Sequence, residues 1–162
     1  KRTHLNNFKS RHPDYSFVPL EPTDQPRALA VFEKWFEERK DTQYFSKLAY
    51  AAQKKALERA FEDYRELALV GGALLIGGEM KAFIMASRLN PEMISAHFQY
   101  VEPNYRGITQ TILWEACNRI FSGYKYLDLE QDLGIPGLRK AKLSYQPHKL
   151  EKKFEIVAKE LK

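Results

Sequence analysis

LALVGGALLIGGEMKAFIMASRLNPEMISAHFQYV, residues 67–101, sets the architecture of the chain. An apolar run over 67–76 ends at Gly77-Gly78, and a second run follows over 81–88, so the pair reads as an antiparallel hairpin. Asn90-Pro91 supplies the next turn. Beyond it residues 93–101 alternate. Ile94, Ala96, Phe98 and Tyr100 share one face by a period of two, and Ser95, His97 and Gln99 share the other.

Outside this stretch the period changes. Downstream, residues 107–121 form the clearest helix: Ile112, Ala116 and Ile120 recur at four-residue spacing, as do Leu113, Cys117 and Phe121. A short strand follows over 124–129, then a helix over 136–144 that opens on a proline, and an alternating segment over 153–159 (Phe154, Ile156, Ala158) that can close the sheet. Upstream, residues 1–11 read as a short helix, 15–20 as a strand, 25–39 as a helix with Leu29, Phe32 and Phe36 in one stripe, and 46–64 as a second helix. Thr23 or Asp24 can cap the first of these long helices. The order predicts an α/β domain with a mixed, mostly antiparallel sheet and helices on both faces, spanning 1–162 as one domain.

Composition narrows the class. The chain has 162 residues, is 44% apolar and 13% aromatic, which excludes disorder, and has no apolar run long enough to cross a bilayer. No secretory signal opens it, the first residue is not Met, and an N-terminal part of a longer chain is expected before it. The lone Cys117 sits in a helical apolar pattern and reads as a small buried side chain in preference to a nucleophile, and a single cysteine suits a reducing cytoplasm. The net charge of +5 favours anionic partners, and Arg139, Lys140, Lys142, His148, Lys149, Lys152 and Lys153 crowd one short region. The four histidines are scattered and no zinc spacing is present, so no metal is expected; no nucleophilic triad is visible either.

Two stretches carry chemistry. In QYVEPNYRGITQ (99–110) a strand gives way to a helix start, whose free N–H groups and dipole suit an anion. Asn104, Arg106, Gly107, Thr109 and Gln110 are the binding candidates there, and an ordinary helix start fits the same residues. In DLGIPGLRKAKLSYQP (132–147), Arg139 and Lys142 lie three apart on one helical face near Lys140 and Tyr145. They can hold a phosphate or polarise an acyl carbonyl, or form a solvated basic helix. His97 reads as a base or as a hydrogen-bonded surface histidine. Glu102 ends the third strand of the meander. Glu130 and Asp132 follow the next strand, and this acidic pair can bind an α-amino group or form a salt bridge to Arg139.

The element order resembles that of GNAT-like acyltransferases. Those that use acetyl-CoA seat its pyrophosphate on a Q/R-x-x-G-x-G/A loop; here only Gly107 is present, beside Tyr105, Arg106 and Ile108. GLRKAKLSYQP resembles the basic segment G-L-R-[RK]-[FA]-K-x-x-[FY]-x-P of phosphatidylglycerol lysyltransferases. PNYRGITQTILWEACNRIFSGYKYLDLEQDLGIPGLRK and the opening KRTHLNNFKSRHPDYSFVPL extend the likeness to nearly the whole chain, most specifically over 97–147. The resemblance implies a GNAT-like fold, an N-terminal GNAT-like domain in the same chain, and aminoacyl transfer from aminoacyl-tRNA to an anionic lipid such as phosphatidylglycerol. Arg139, Lys142, Tyr145 and Pro147 match the basic segment. Asn104, Gly107 and Thr109 fall on a P-N-G-T-like run, into which Tyr105-Arg106 is inserted.

The expectation is therefore an acyltransferase with Lys142, Arg139, Glu102 and His97 at the chemistry. An aminoacyl-tRNA donor is favoured over acetyl-CoA, and the enzyme would work in the cytoplasm or at the inner membrane surface. The alternatives are a coenzyme A-dependent N-acyltransferase and a non-catalytic GNAT-like module that binds RNA or a partner domain.

Overall fold

Glycines without side chains and strands buried on both faces dictate the centre of the fold. The computed structural model describes residues 1–40, 47–152 and 154. The described residues fall into two compact units, 1–131 and 132 onward. In the first, β2 (Val70–Ile76) and β3 (Glu79–Asn90) form the expected hairpin, and Gly77 and Gly78 carry the positive φ angles of 58° and 80° that its two-residue turn demands. β4 (Met93–Val101) pairs antiparallel with β3, β1 (Ser16–Pro19) pairs antiparallel with β2, and β5 (Tyr126–Asp128) pairs parallel with β4. The sheet thus runs β1-β2-β3-β4-β5 in chain order. β2 starts at Val70, later than the apolar run suggests. Leu67 and Leu69 still donate to Asp63 and Tyr64 carbonyls at the preceding helix end, and Ala68 is left-handed (φ 47°).

Helices α2 (Gln25–Glu37) and α3 (Lys47–Glu62) cover one sheet face. Their stripes meet Phe83, Met85 and Tyr100, and Phe32, Leu57 and Phe61 are almost wholly buried there. The Tyr100 ring stands edge-on to Phe32 at 5.0 Å and its hydroxyl donates to Gln53 Oε1 at 3.0 Å. Burial pushes the Tyr100 phenol up to about 12. Asp24 does not cap α2. Its carboxylate turns back to accept from the Glu21 N–H at 3.1 Å, closing a single 3-10 turn over Pro22–Asp24.

Helix α4 (Ile108–Arg119) packs against β2 and β3, and α1 (Arg2–Arg11) packs on α4. Glu115 holds this layer together. Its carboxylate is fully buried in α4, accepts from the Tyr15 hydroxyl, and lies 3.3 Å from Lys9 Nζ and 2.8 Å from Arg119 Nε. Burial and that carboxylate raise the Tyr15 phenol above its usual range.

One expected alternation fails. Met85 faces Phe98 across the β3–β4 ladder while Ala86 faces Ala96, so His97 is an extra residue in a β-bulge. The bulge shifts the phase of β4: Phe98 and Tyr100 join the α2–α3 core, whereas Ile94 and Ala96 lie outside that cluster. The single face drawn through Ile94, Ala96, Phe98 and Tyr100 is thereby corrected.

The second unit contains α5 (Pro136–Leu143), opened by its proline as expected. The strand expected over 153–159 lies outside the described residues, Phe154 apart.

Gly107 precedes α4 with φ 95°, and an added Cβ would run into the His4 carbonyl oxygen and sit 3.1 Å from Phe8 Cβ. Gly77 has a positive φ with open space around it. Left-handed alanine costs roughly 1–2 kcal/mol, so Gly77→Ala should lose about that much, and Gly107→Ala distinctly more because α1 must also be displaced. Urea midpoints of the two variants measure the difference; equal losses would mean that α1 does not pack on Gly107.

Candidate active site

Parallel pairing between β4 and β5 lasts for three residues: Met93, Ile94 and Ser95 face Tyr126, Leu127 and Asp128. Past Ser95, β4 runs on to Val101 with no strand on that side among the described residues. An edge of this kind leaves backbone N–H and C=O groups for a bound molecule.

Side chains converge where the pairing stops. Ser95 Oγ donates to Asp128 Oδ2 at 2.9 Å, and Asp128 Oδ1 accepts from the Glu130 N–H at 2.8 Å. This clamp holds Glu130 in a left-handed conformation, φ 57°, which a non-glycine residue adopts at a cost. Glu130 Oε1 then lies 2.9 Å from His97 Nδ1, and His97 Nε2 lies 2.7 Å from Ser87 Oγ. An ionised carboxylate can only accept, so Nδ1 carries a proton toward Glu130, and Nε2 faces the Ser87 hydroxyl. A cavity of about 380 Å³ opens beside this line, walled by Ala56, Ala60, Leu67, Leu69 and Phe98, with Arg59 at its rim and Ser87 and His97 on its lining.

The structure thus unites two expected residues, His97 and Glu130, and adds Ser87, Ser95 and Asp128. Ser87, His97 and Glu130 form a hydrogen-bonded line that was not visible in the sequence. No sequence spacing could have revealed it. The three members stand on β3, on β4 and after β5, and the bulge that turns His97 toward Ser87 has no residue signature of its own.

Glu102 is drawn into a different cluster. It is buried at the end of β4, with Lys34 Nζ at 2.6 Å and Lys81 Nζ at 3.5 Å from Oε1. Lys81, itself buried, also bonds Glu79 at 2.6 Å, and that bond is the first reason its ammonium is held above its ordinary range. At the start of α4, Asn104, Arg106 and Thr109 are exposed and Gln110 is half-buried. The Thr109 carbonyl accepts from Gln99 Nε2 at 3.0 Å, and Thr111 Oγ1 donates to the Gly107 carbonyl at 2.9 Å. The open flank of Gly107 is filled by His4 and Phe8.

In the second unit Asp132 pairs with Arg139, Oδ2 to Nε at 2.6 Å, and also accepts from the Gly134 N–H at 2.9 Å. The Arg139 guanidinium, first, and that N–H, second, hold the Asp132 carboxyl below its usual range. Of the two roles open to Asp132, the salt bridge is the one formed. Lys140 is exposed on α5, while Lys142 and Tyr145 are half-buried.

A family described as phosphatidylglycerol lysyltransferase, C-terminal, matches residues 1–157. A conserved protein of unknown function from Bacteroides thetaiotaomicron is similar at 34% identity and TM-score 0.83, over 92% of this chain and 49% of that one. The chain therefore spans about half the length of that relative. Ribosomal-protein-alanine N-acetyltransferase from Brucella melitensis biovar Abortus 2308 superposes with TM-score 0.58 at 15% identity, over 90% of this chain and 98% of that one. PaiA N-acetyltransferase from Thermoplasma acidophilum, in complex with coenzyme A, superposes with TM-score 0.59 at 12% identity, over 82% of this chain and 87% of that one. At such identities the likeness is one of fold, and the fold is GNAT-like. No curated protein matches the chain.

Removing Glu102 would leave the buried Lys81 with Glu79 alone. Glu102→Ala should therefore cost about 3 kcal/mol. Lys34→Ala, at a side chain 57% exposed, should cost less than about 1 kcal/mol. Chemical denaturation reads both; a Glu102→Ala protein as stable as the parent would leave this cluster without a structural role.

Proposed function

The chain belongs to the phosphatidylglycerol lysyltransferase C-terminal family, and from that premise we propose that it is an acyltransferase moving an aminoacyl group from the ester of aminoacyl-tRNA to a lipid or other nucleophilic acceptor. The observation that carries the reading is the His97–Glu130 pair, 2.9 Å apart where β4 and β5 part. An aminoacyl ester is already activated, so the protein has to position two reactants, accept a proton and stabilise an oxyanion. His97 Nε2, neutral and held by Glu130, takes the acceptor's proton and returns it to the leaving ribose hydroxyl. The cavity beside His97 receives the acyl side chain.

The donor follows from the start of α4. A diphosphate seat there needs small residues and close backbone approach, whereas Tyr105 and Arg106 precede Gly107 and α1 fills its open flank. That crowding favours a tRNA-borne acyl group over coenzyme A. In the second unit Lys140 and Lys142 supply cations for phosphate, from the tRNA or from an anionic lipid such as phosphatidylglycerol. No described helix is long and apolar enough to cross a membrane, and the enzyme would meet such a lipid from the cytoplasmic surface. An N-terminal GNAT-like domain in the same chain is part of this reading.

Full-length protein supplied with radiolabelled aminoacyl-tRNA pools should move label into a lipid or peptide fraction. His97→Gln should slow that transfer by about 100-fold, the lower end of what a positioned base contributes, with the circular dichroism spectrum unchanged. Lys142→Ala should weaken transfer as well. Transfer from no charged tRNA, together with coenzyme A binding by calorimetry, would replace this reading with the acetyl-CoA one; no turnover with either donor would leave a binding module.

A further inference from the structure

The base proposed above has a second neighbour that direct transfer does not use. Ser87 Oγ lies 2.7 Å from His97 Nε2, on the side of the ring opposite Glu130. A hydroxyl, a neutral imidazole nitrogen and a carboxylate in one hydrogen-bonded line are the parts of an activated serine. Here they arise on a GNAT-like sheet, from β3, from β4 and from the turn after β5, with no motif in common.

Two further observations separate this line from an incidental hydrogen bond. First, each partner is held from behind: His97 is placed by a bulge, and Glu130 by a left-handed backbone that Asp128 and Ser95 clamp. Costly backbone of this kind is retained where a group must be aimed. Second, Ser87 and His97 both line the cavity of about 380 Å³, whose remaining wall is apolar apart from Arg59. This cavity is an open groove, with Leu67 53% exposed, and its volume lies near the lower end of the range of small-molecule sites. An apolar wall, a hydroxyl with its base and a cation at the rim suit a short acyl group carried on an oxygen ester.

We propose that Ser87 is a covalent acyl acceptor, so that transfer runs in two steps through an acyl-Ser87 ester. His97 Nε2 takes the Ser87 proton as Oγ attacks the ester carbonyl, and Nδ1–H stays bonded to Glu130 as the imidazolium forms. The tetrahedral adduct collapses, the bond to the leaving alkoxide breaks, and that oxygen takes the proton from Nε2. In the second step the acceptor amine or hydroxyl, or water, gives its proton to Nε2 and attacks the acyl-serine carbonyl. Oγ leaves and recovers the proton. Nothing is oxidised or reduced, and the acceptor is the only co-reactant. The inference deepens the acyl-transfer reading and takes from it only the class of donor, an activated ester.

Synthetic esters test the serine without tRNA. Full-length protein mixed with p-nitrophenyl butyrate should release close to one equivalent of p-nitrophenolate in a burst. Intact mass should rise by one butyryl group, and peptide mapping should place it on Ser87. Ser87→Ala should lose the adduct, Ser87→Cys should regain one as a thioester, and Glu130→Gln should slow the burst by about 100-fold or more. Ala56→Phe, which narrows the cavity, should suppress labelling by butyryl more than by acetyl esters. An unlabelled wild-type protein, or a Ser87→Ala protein labelled as fast as the parent, overturns the proposal. Label on Ser87 without transfer from any charged tRNA upholds the serine and discards the donor. Full transfer from charged tRNA by Ser87→Ala upholds the donor and overturns the serine.

Discussion

The bulge at His97 is the constraint on which the centre of this molecule depends. β4 must satisfy β3 along its whole length, carry Phe98 and Tyr100 into the core under α2 and α3, and bury Ile94 as well. A regular strand with this sequence would place Ile94, Phe98 and Tyr100 on one face. One extra residue lets the two ends of β4 serve different layers while the ladder to β3 is kept. The extra residue is the histidine. The device that settles the packing is therefore also the one that turns an imidazole toward Ser87 and Glu130.

Around that strand, charges do the pinning that apolar contacts leave undone. Glu115 is wholly buried in α4 and gathers Tyr15, Lys9 and Arg119, which ties α1 and the approach to β1 onto one helix. Glu102 gathers Lys34 from α2 and Lys81 from β3 at the far end of β4. A carboxylate this deep is tolerable only with such partners, and removing one partner strands a charge. Their surroundings also separate them from the chemistry. Glu102 and Glu115 are buried and paired with cations, whereas His97 and Glu130 are part-exposed beside a cavity.

The proposed reaction rests on the split between β4 and β5 and on membership of the phosphatidylglycerol lysyltransferase C-terminal family. Three residues of parallel pairing bring Asp128 and Glu130 beside Ser95 and His97, and among the described residues no strand pairs with the remainder of β4 on that side. At the start of α4, Gly107 packs closely against His4 and Phe8 of α1, and the proposed choice of donor rests on that crowding. The proposed donor and the proposed serine both follow from these local facts, and they rest on different residues.

Much of the architecture was legible in the residues. The hairpin at Gly77-Gly78, the stripes of α2 and α3, the α4 repeat and the proline that opens α5 all express a period or a turn chemistry. Such signals act over a few residues and need no tertiary context. His97 and Glu130 could be nominated in the same way, as polar residues on or just beyond strand ends, and the likeness to phosphatidylglycerol lysyltransferases was readable in GLRKAKLSYQP. Ser87 could not, because a serine in an apolar strand has no mark of its own until the bulge in β4 brings the His97 side chain to it. Nor could the sequence foresee that Glu102 is drawn between Lys34 and Lys81, or that Gly107 answers to α1. These outcomes depend on which residues meet across long stretches of chain. Only the packing of β3, β4, β5 and the helices decides that.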